Sequence, residues 1–113
     1  MNPKPGEVYK VDLGFAGKVR FMIVVSRFEA DPPRNLALCV PVTTRFRGSR
    51  YEVPLGGRRP FSEPSFANVQ GTTAVEYHEL GRYLGAVPSS TLEQIRAALV
   101  YALDLNPSSA TGH

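Results

Sequence analysis

The stretch VRFMIVVS, residues 19–26, most restricts what this chain can fold into. Its near-continuous β-branched and aromatic side chains leave no polar face along its length, which predicts a central strand covered on both faces. Its apolar stretch, FMIVV, is far too short to cross a bilayer. Such a strand needs neighbours, and the flanking sequence supplies them. GEVYKVDL (6–13) alternates as a strand, and GFAGK (14–18) is a glycine-bounded turn. EADPPRN (29–35) is a loop, because Pro32 and Pro33 block regular pairing.

LALCVPVTTRFR (36–47) alternates strictly. Leu36, Leu38, Val40, Val42, Thr44 and Phe46 share one face, expected to be the apolar one that turns to the core. Ala37, Cys39, Pro41, Thr43, Arg45 and Arg47 share the other. Pro41 cannot donate a ladder hydrogen bond, so a bulge or an unpaired edge is expected there. After a Gly-Ser turn, RYEVPL (50–55) reads as the second arm of a hairpin, and GGRRPFSEP (56–64) as a loop. SFANVQ and TTAVE are short strands broken at Gly71. YHEL (77–80) reads as one helical turn and RYLGAVP (82–88) as another strand. The clearest helix comes last. Ser90-Thr91-Leu92-Glu93 has the form of a capping box, and Leu92, Ile95, Leu99, Ala102 and Leu103 form one apolar stripe. Asn106-Pro107 stops it. The expected class is mainly β: a small, strongly bent sheet or partly open barrel carrying a C-terminal amphipathic helix. At 113 residues the chain is one domain's length, read here as a single domain over 1–105 and a flexible tail over 106–113.

Several chemistries are not expected. The single Cys39 sits in an apolar run, as a buried inert thiol would, and it cannot form an intramolecular disulfide or a cysteine metal cage. His78 and His113 are the only histidines, and no HxxxH or clustered Asp motif accompanies them, so no metal or other cofactor is expected. There is no phosphate-binding glycine loop ahead of a helix and no GxSxG elbow. MNPKPGEVYK has no apolar leader core, so a cytoplasmic protein without membrane attachment is expected.

Charge is uneven. Residues 1–60 hold 11 Lys and Arg against 5 Asp and Glu, whereas residues 61–113 hold 2 against 5. A basic face of this kind can attract a polyanion. Thr43, Arg45 and Arg47 share one strand face, Arg50 follows, and Lys18 and Arg20 open the central strand. Arginine forks match phosphate oxygens, and a threonine hydroxyl can donate to another oxygen. Such a set could stabilise a pentacoordinate phosphorane without metal. The plainer reading is a charged strand edge that prevents sheet aggregation. Phe15, Phe21, Phe46 and Tyr51 lie near in sequence and could stack against the bases of a nucleic acid or simply pack, and for Phe46 the second reading is preferred.

In order and spacing, PGEVYKVDLG, VRFMIVVS, LALCVPVTTRFRGSRYEVPL and LGRYLGAVPSSTLEQIRAAL together resemble the MazF/PemK-type toxin family. That resemblance implies an SH3-like, CcdB-like small barrel with a C-terminal helix, acting as a homodimer. It implies a metal-independent endoribonuclease that cuts single-stranded RNA at short motifs, leaving a 2′,3′-cyclic phosphate and a 5′-hydroxyl. It implies a cognate antitoxin that blocks the RNA groove. The family's catalytic arginine falls on Arg20, and its catalytic threonine, first of a TT pair, on Thr43. Lys18, Phe21, Arg45, Arg47 and Arg50 become the expected RNA contacts. The chain departs from the family pattern in having Phe21 where proline is usual, a short first loop without an acid, and no basic residue after Gln70. The alternative is a non-catalytic CcdB-like module that grips a protein such as DNA gyrase.

Overall fold

The computed structural model describes residues 2–12, 19–57 and 59–105. The expected first turn (14–18), with Phe15 and Lys18, lies outside these, as does the tail 106–113. Among the described residues the elements are β1 (Glu7–Asp12), β2 (Val19–Val24), β3 (Leu36–Thr43), β4 (Glu52–Gly56), β5 (Ser65–Asn68), β6 (Thr73–Glu76), β7 (Leu80–Ala86) and a terminal helix α1 (Ser89–Ala102). All strand pairs are antiparallel, in the order β4-β5-β3-β2-β1-β7, with β6 also paired to β3. The mainly-β class therefore holds. The sheet is strongly shared rather than hydrogen-bonded into a closed barrel, since β4 and β7 are its two ends.

The central position of β2 follows from its side chains: Met22, Ile23 and Val24 are all buried. They point alternately into two cores, one on each face of the sheet. On one face Val8, Ile23, Val40, Val53, Leu55, Phe61, Ala67 and Val69 pack under Ile95 and Ala98 of α1. On the other, Val11, Met22, Val24, Ala37, Cys39 and Val75 pack together. This double coverage corrects the reading of β3. Ala37 and Cys39 are buried, while Leu36 and Leu38 on the opposite face are exposed. The apolar face changes side partway along the strand, because the second core lies under its first half. Phe46 is not in either core: β3 ends at Thr43, and Phe46 stands beyond it, 56% exposed. Burial pushes the Cys39 thiol up to about 12, so this buried sulfur stays protonated.

Pro41 organises one edge of β3. Residues 36–39 of β3 pair with β6, and Val42 and Thr43 pair with β5. Between these ladders sits a 3-10 turn, Val69–Gly71, which takes up the change of register. The Val25 N–H donates to the Leu38 carbonyl on the β2 side, at 2.9 Å. Alternation then aims the ring nitrogen of Pro41 at the other edge, where the ladder is interrupted. Gly71 fits against this ring: a Cβ there would stand 2.6 Å from Pro41 Cγ. Gly71→Ala is therefore expected to destabilise by about 1–3 kcal/mol through overpacking. A urea midpoint unchanged from wild type would refute this.

Two local expectations change. RYEVPL does form a strand, but β4 pairs with β5, not β3, so β5 is inserted between the arms of the expected hairpin. The capping box at Ser90–Glu93 does not form. Pro88 is the N-cap, and Glu93 instead accepts from Arg96 at 3.0 Å. A reciprocal box forms earlier, at Glu76 and Glu79, around a second 3-10 turn, Tyr77–Glu79. Of the predicted helix stripe, Ile95 is buried, and Leu99 and Ala102 pack against the core. Leu103 is exposed beyond the helix end, while Ala98 joins the buried set. Among the described residues no helix is long and apolar enough to cross a membrane.

Candidate functional site

Arg20 lies near the start of β2 and is exposed, so its charge keeps its water and is not forced into either core. Met22 pairs with Pro41 in the β2–β3 ladder. The ladder ends there; its register, continued by two residues, would set Arg20 opposite Thr43. By parity both side chains leave the sheet on the face that carries Met22, Cys39 and Val75. Thr43 in turn is paired with Phe66 of β5. Ser65 and Ala67 point into the core, so Phe66 and Asn68 point to the Thr43 side.

Two cavities meet on this face. One, of about 530 Å³, is lined by Arg20, Met22, Pro41, Asn68, Gly71 and Glu79, among others. The next, of about 430 Å³, is lined by Thr43, Arg45, Arg47, Tyr51, Asn68 and Gln70, with Ser49 and Glu52. Asn68 belongs to both. Its carboxamide oxygen is fixed by the Gln70 N–H at 3.1 Å. Together these cavities form a groove with Arg20 at one end and the Arg45–Arg47 segment at the other. A further cavity, about 430 Å³, opens on the opposite face beside Phe21, Val42, Thr44, Phe61 and Glu63, and Arg20 borders it too.

The arginine segment is held by a carboxylate. Thr43 Oγ1 accepts from the Arg45 N–H at 3.1 Å, turning the chain out of β3. Glu52 then accepts from the Arg47 N–H at 3.2 and 3.1 Å, from the Ser49 N–H at 3.0 Å and from the Ser49 hydroxyl at 2.9 Å. Gly48, at φ +70°, makes the turn between those donors possible. The Ser49 amide, with the Ser49 hydroxyl and the Arg47 amide, holds the Glu52 carboxyl below the usual carboxylate range, against a smaller opposing effect of desolvation. Because its folded pKa is depressed, the contribution is complete above the ordinary carboxylate pKa. It is lost as pH falls through the lower folded value. The Arg47 and Ser49 amides are expected to lose their protection against exchange, measured relative to an unstructured amide at the same pH, in Glu52→Gln at neutral pH and in wild type only on acidification. Unchanged protection in both would show that Glu52 does not order the loop.

The structure thus brings Arg20, Thr43, Arg45 and Arg47 to one groove. Arg50 goes elsewhere: its guanidinium lies 3.9 Å from the centroid of the Tyr101 ring on α1 and borders a separate cavity with Gln94 and Ala97. Phe21 faces the α1 side of the sheet and tilts against Phe61, with centroids 5.6 Å apart. Lys18 is outside the described residues. Asn68, Glu52, Phe66 and Glu79 were not read as site residues from the sequence. Asn68 carried a partial signal, since an asparagine two residues before an amide and three before a glycine marks a side-chain-capped turn. His78 is exposed and 3.4 Å from Glu76. Among the described residues no group of three or more His, Cys, Asp or Glu side chains could hold a metal ion.

A family model described as the PemK-like, MazF-like toxin of type II toxin–antitoxin systems matches residues 4–103. The chain belongs to this family. Endoribonuclease MazF4 of Mycobacterium tuberculosis is 31% identical over 103 residues, which are 91% of this chain and 94% of that protein. The probable endoribonuclease MazF5 of the same organism is 33% identical over 103 residues, 90% of this chain and 94% of that one. Among solved structures, an endoribonuclease in complex with its cognate antitoxin, from a mycobacterial species, superposes with a TM-score of 0.80 at 30% identity. It covers 92% of this chain and 97% of its own. The MazF/PemK family resemblance therefore holds over the fold as well as the motifs.

Proposed function

We propose that this chain is the toxin of a type II toxin–antitoxin pair and a metal-independent endoribonuclease acting on single-stranded RNA in the cytoplasm, as a homodimer. The observation that supports the reading is the groove made by two cavities that share Asn68, one lined by Arg20 and the other by Thr43, Arg45 and Arg47. Its relatives are named endoribonucleases, and one similar structure is bound to its cognate antitoxin. Both facts support an RNA substrate and an antitoxin partner here.

The chemistry follows from the groups present. The 2′-hydroxyl oxygen of the substrate attacks the adjacent phosphorus and loses its proton. The P–O5′ bond breaks, and the leaving oxygen gains a proton. The products are a 2′,3′-cyclic phosphate and a 5′-hydroxyl end, with no water consumed. The Arg20 fork would neutralise charge gathering on the phosphoryl oxygens. Thr43 Oγ1 already accepts from the Arg45 amide, which leaves its own O–H to donate to a phosphate oxygen. Arg45 and Arg47 would hold flanking phosphates.

The test is direct. Purified protein is expected to cut single-stranded RNA in EDTA and leave ends that polynucleotide kinase labels without prior phosphatase. No cleavage of any RNA, or cleavage only with added metal, would refute the reading. Inhibition of a topoisomerase without RNA cleavage would favour the CcdB-like binding module instead.

A further inference from the structure

Phe46 is a large ring left 56% exposed, although Phe66 lies under it. The two rings stack nearly parallel, with centroids 4.5 Å apart and planes 17° apart. One face of Phe46 is therefore covered, and its exposed surface is the opposite face and rim. Phe66 is the cross-strand partner of Thr43, so the stack stands on the same side of the sheet as the candidate phosphate site. Arg45 and Arg47 flank Phe46 in sequence and line the groove beside Thr43. The loop carrying the ring is ordered by the Glu52 hydrogen bonds, and the ring lies 3.9 Å from where a Cβ of Gly48 would stand.

A flat apolar face on a segment whose neighbouring arginines line the adjoining cavity matches a nucleobase on its sugar-phosphate chain. An unstacked base brings a π-face to the ring and phosphates to the arginines. We propose that Phe46, backed by Phe66, is the stacking platform for a base of the single-stranded RNA next to the cleaved phosphate. This rests on the nuclease reading above and adds a base subsite to it. A purely apolar protein segment would offer Arg45 and Arg47 no phosphate to bind, which is why RNA is the favoured occupant.

The chain contains no tryptophan, so Phe46→Trp installs the only indole. The probe is a single-stranded 2′-O-methyl oligoribonucleotide, which cannot be cut. Its binding is followed independently by the anisotropy of an end label, and wild-type cleavage of unmodified RNA is run in parallel. Indole emission is expected to be quenched by the oligonucleotide and not by an abasic sugar-phosphate chain of equal charge. Phe46→Ala and Phe46→Leu are expected to bind the oligonucleotide about tenfold more weakly while melting as wild type does. Binding without quenching, with Phe46→Ala binding as tightly as wild type, overturns the platform even if wild type cuts RNA. Quenching without any cleavage supports the platform and refutes only the nuclease reading. No binding of the oligonucleotide overturns both. An indole response to the co-expressed antitoxin but not to RNA assigns the stack to the protein partner and overturns the proposal.

Discussion

Arg20→Ala is expected to slow single-turnover RNA cleavage by about 10²–10³-fold, the usual effect of removing one donor aimed at developing negative charge. The fold should survive, because Arg20 is exposed at the mouth of two cavities and neither core depends on it. An exposed substitution of this kind changes stability by within about 0.5 kcal/mol. Arg20→Lys is expected to recover only part of the rate, since an ammonium lacks the planar fork that can meet two phosphate oxygens at once. The measurement is the cleavage rate in EDTA beside the thermal midpoint of each variant. An Arg20→Ala protein that melts normally and cuts at the wild-type rate would remove Arg20 from the mechanism.

Phe61→Ala should have the largest effect on stability, about 3–5 kcal/mol. Phe61 is only 5% exposed and belongs to the core beneath α1, with Val40, Leu55 and Ile95. It also supports Phe21, the residue after Arg20. Truncation leaves a cavity that the sheet cannot collapse into, because β2, β3 and β5 are fixed by their ladders. Since a domain of this size is stable by roughly 5–15 kcal/mol, such a loss would bring it near unfolding at moderate urea. A loss below about 1 kcal/mol in urea titration would mean that the ring is not a core residue.

How much of the site could be read in advance differs from residue to residue. Arg20 and Thr43 entered the candidate site through the family resemblance; the residues alone offered a charged entry to an apolar strand and a strand face that Thr43 shares with Arg45 and Arg47, for which a charged edge was the plainer reading. Asn68 and Phe66 were not legible, because their relevance depends on pairing with a strand more than twenty residues earlier. The role of Glu52 depends on a loop closing back on it, and no periodic pattern announces that. Arg50 looked equivalent to Arg45 and Arg47 in sequence. Only the packing of α1 beside β4 gave it Tyr101 as a partner.

The sequence by itself determined which segments are strands and which is the helix, since periodicity and β-branched side chains act over a few residues. It determined that Pro41 must interrupt an edge and that the later strands break at Gly71. It also carried the family resemblance. Only the tertiary structure decided that β5 enters between β3 and β4, that both faces of the sheet are covered, and that Phe61 is core while Phe46 is not. The reason is physical. A strand's alternation divides its residues between two faces but does not say which face is covered, or by what. That depends on long-range pairing and packing, which local pattern does not encode.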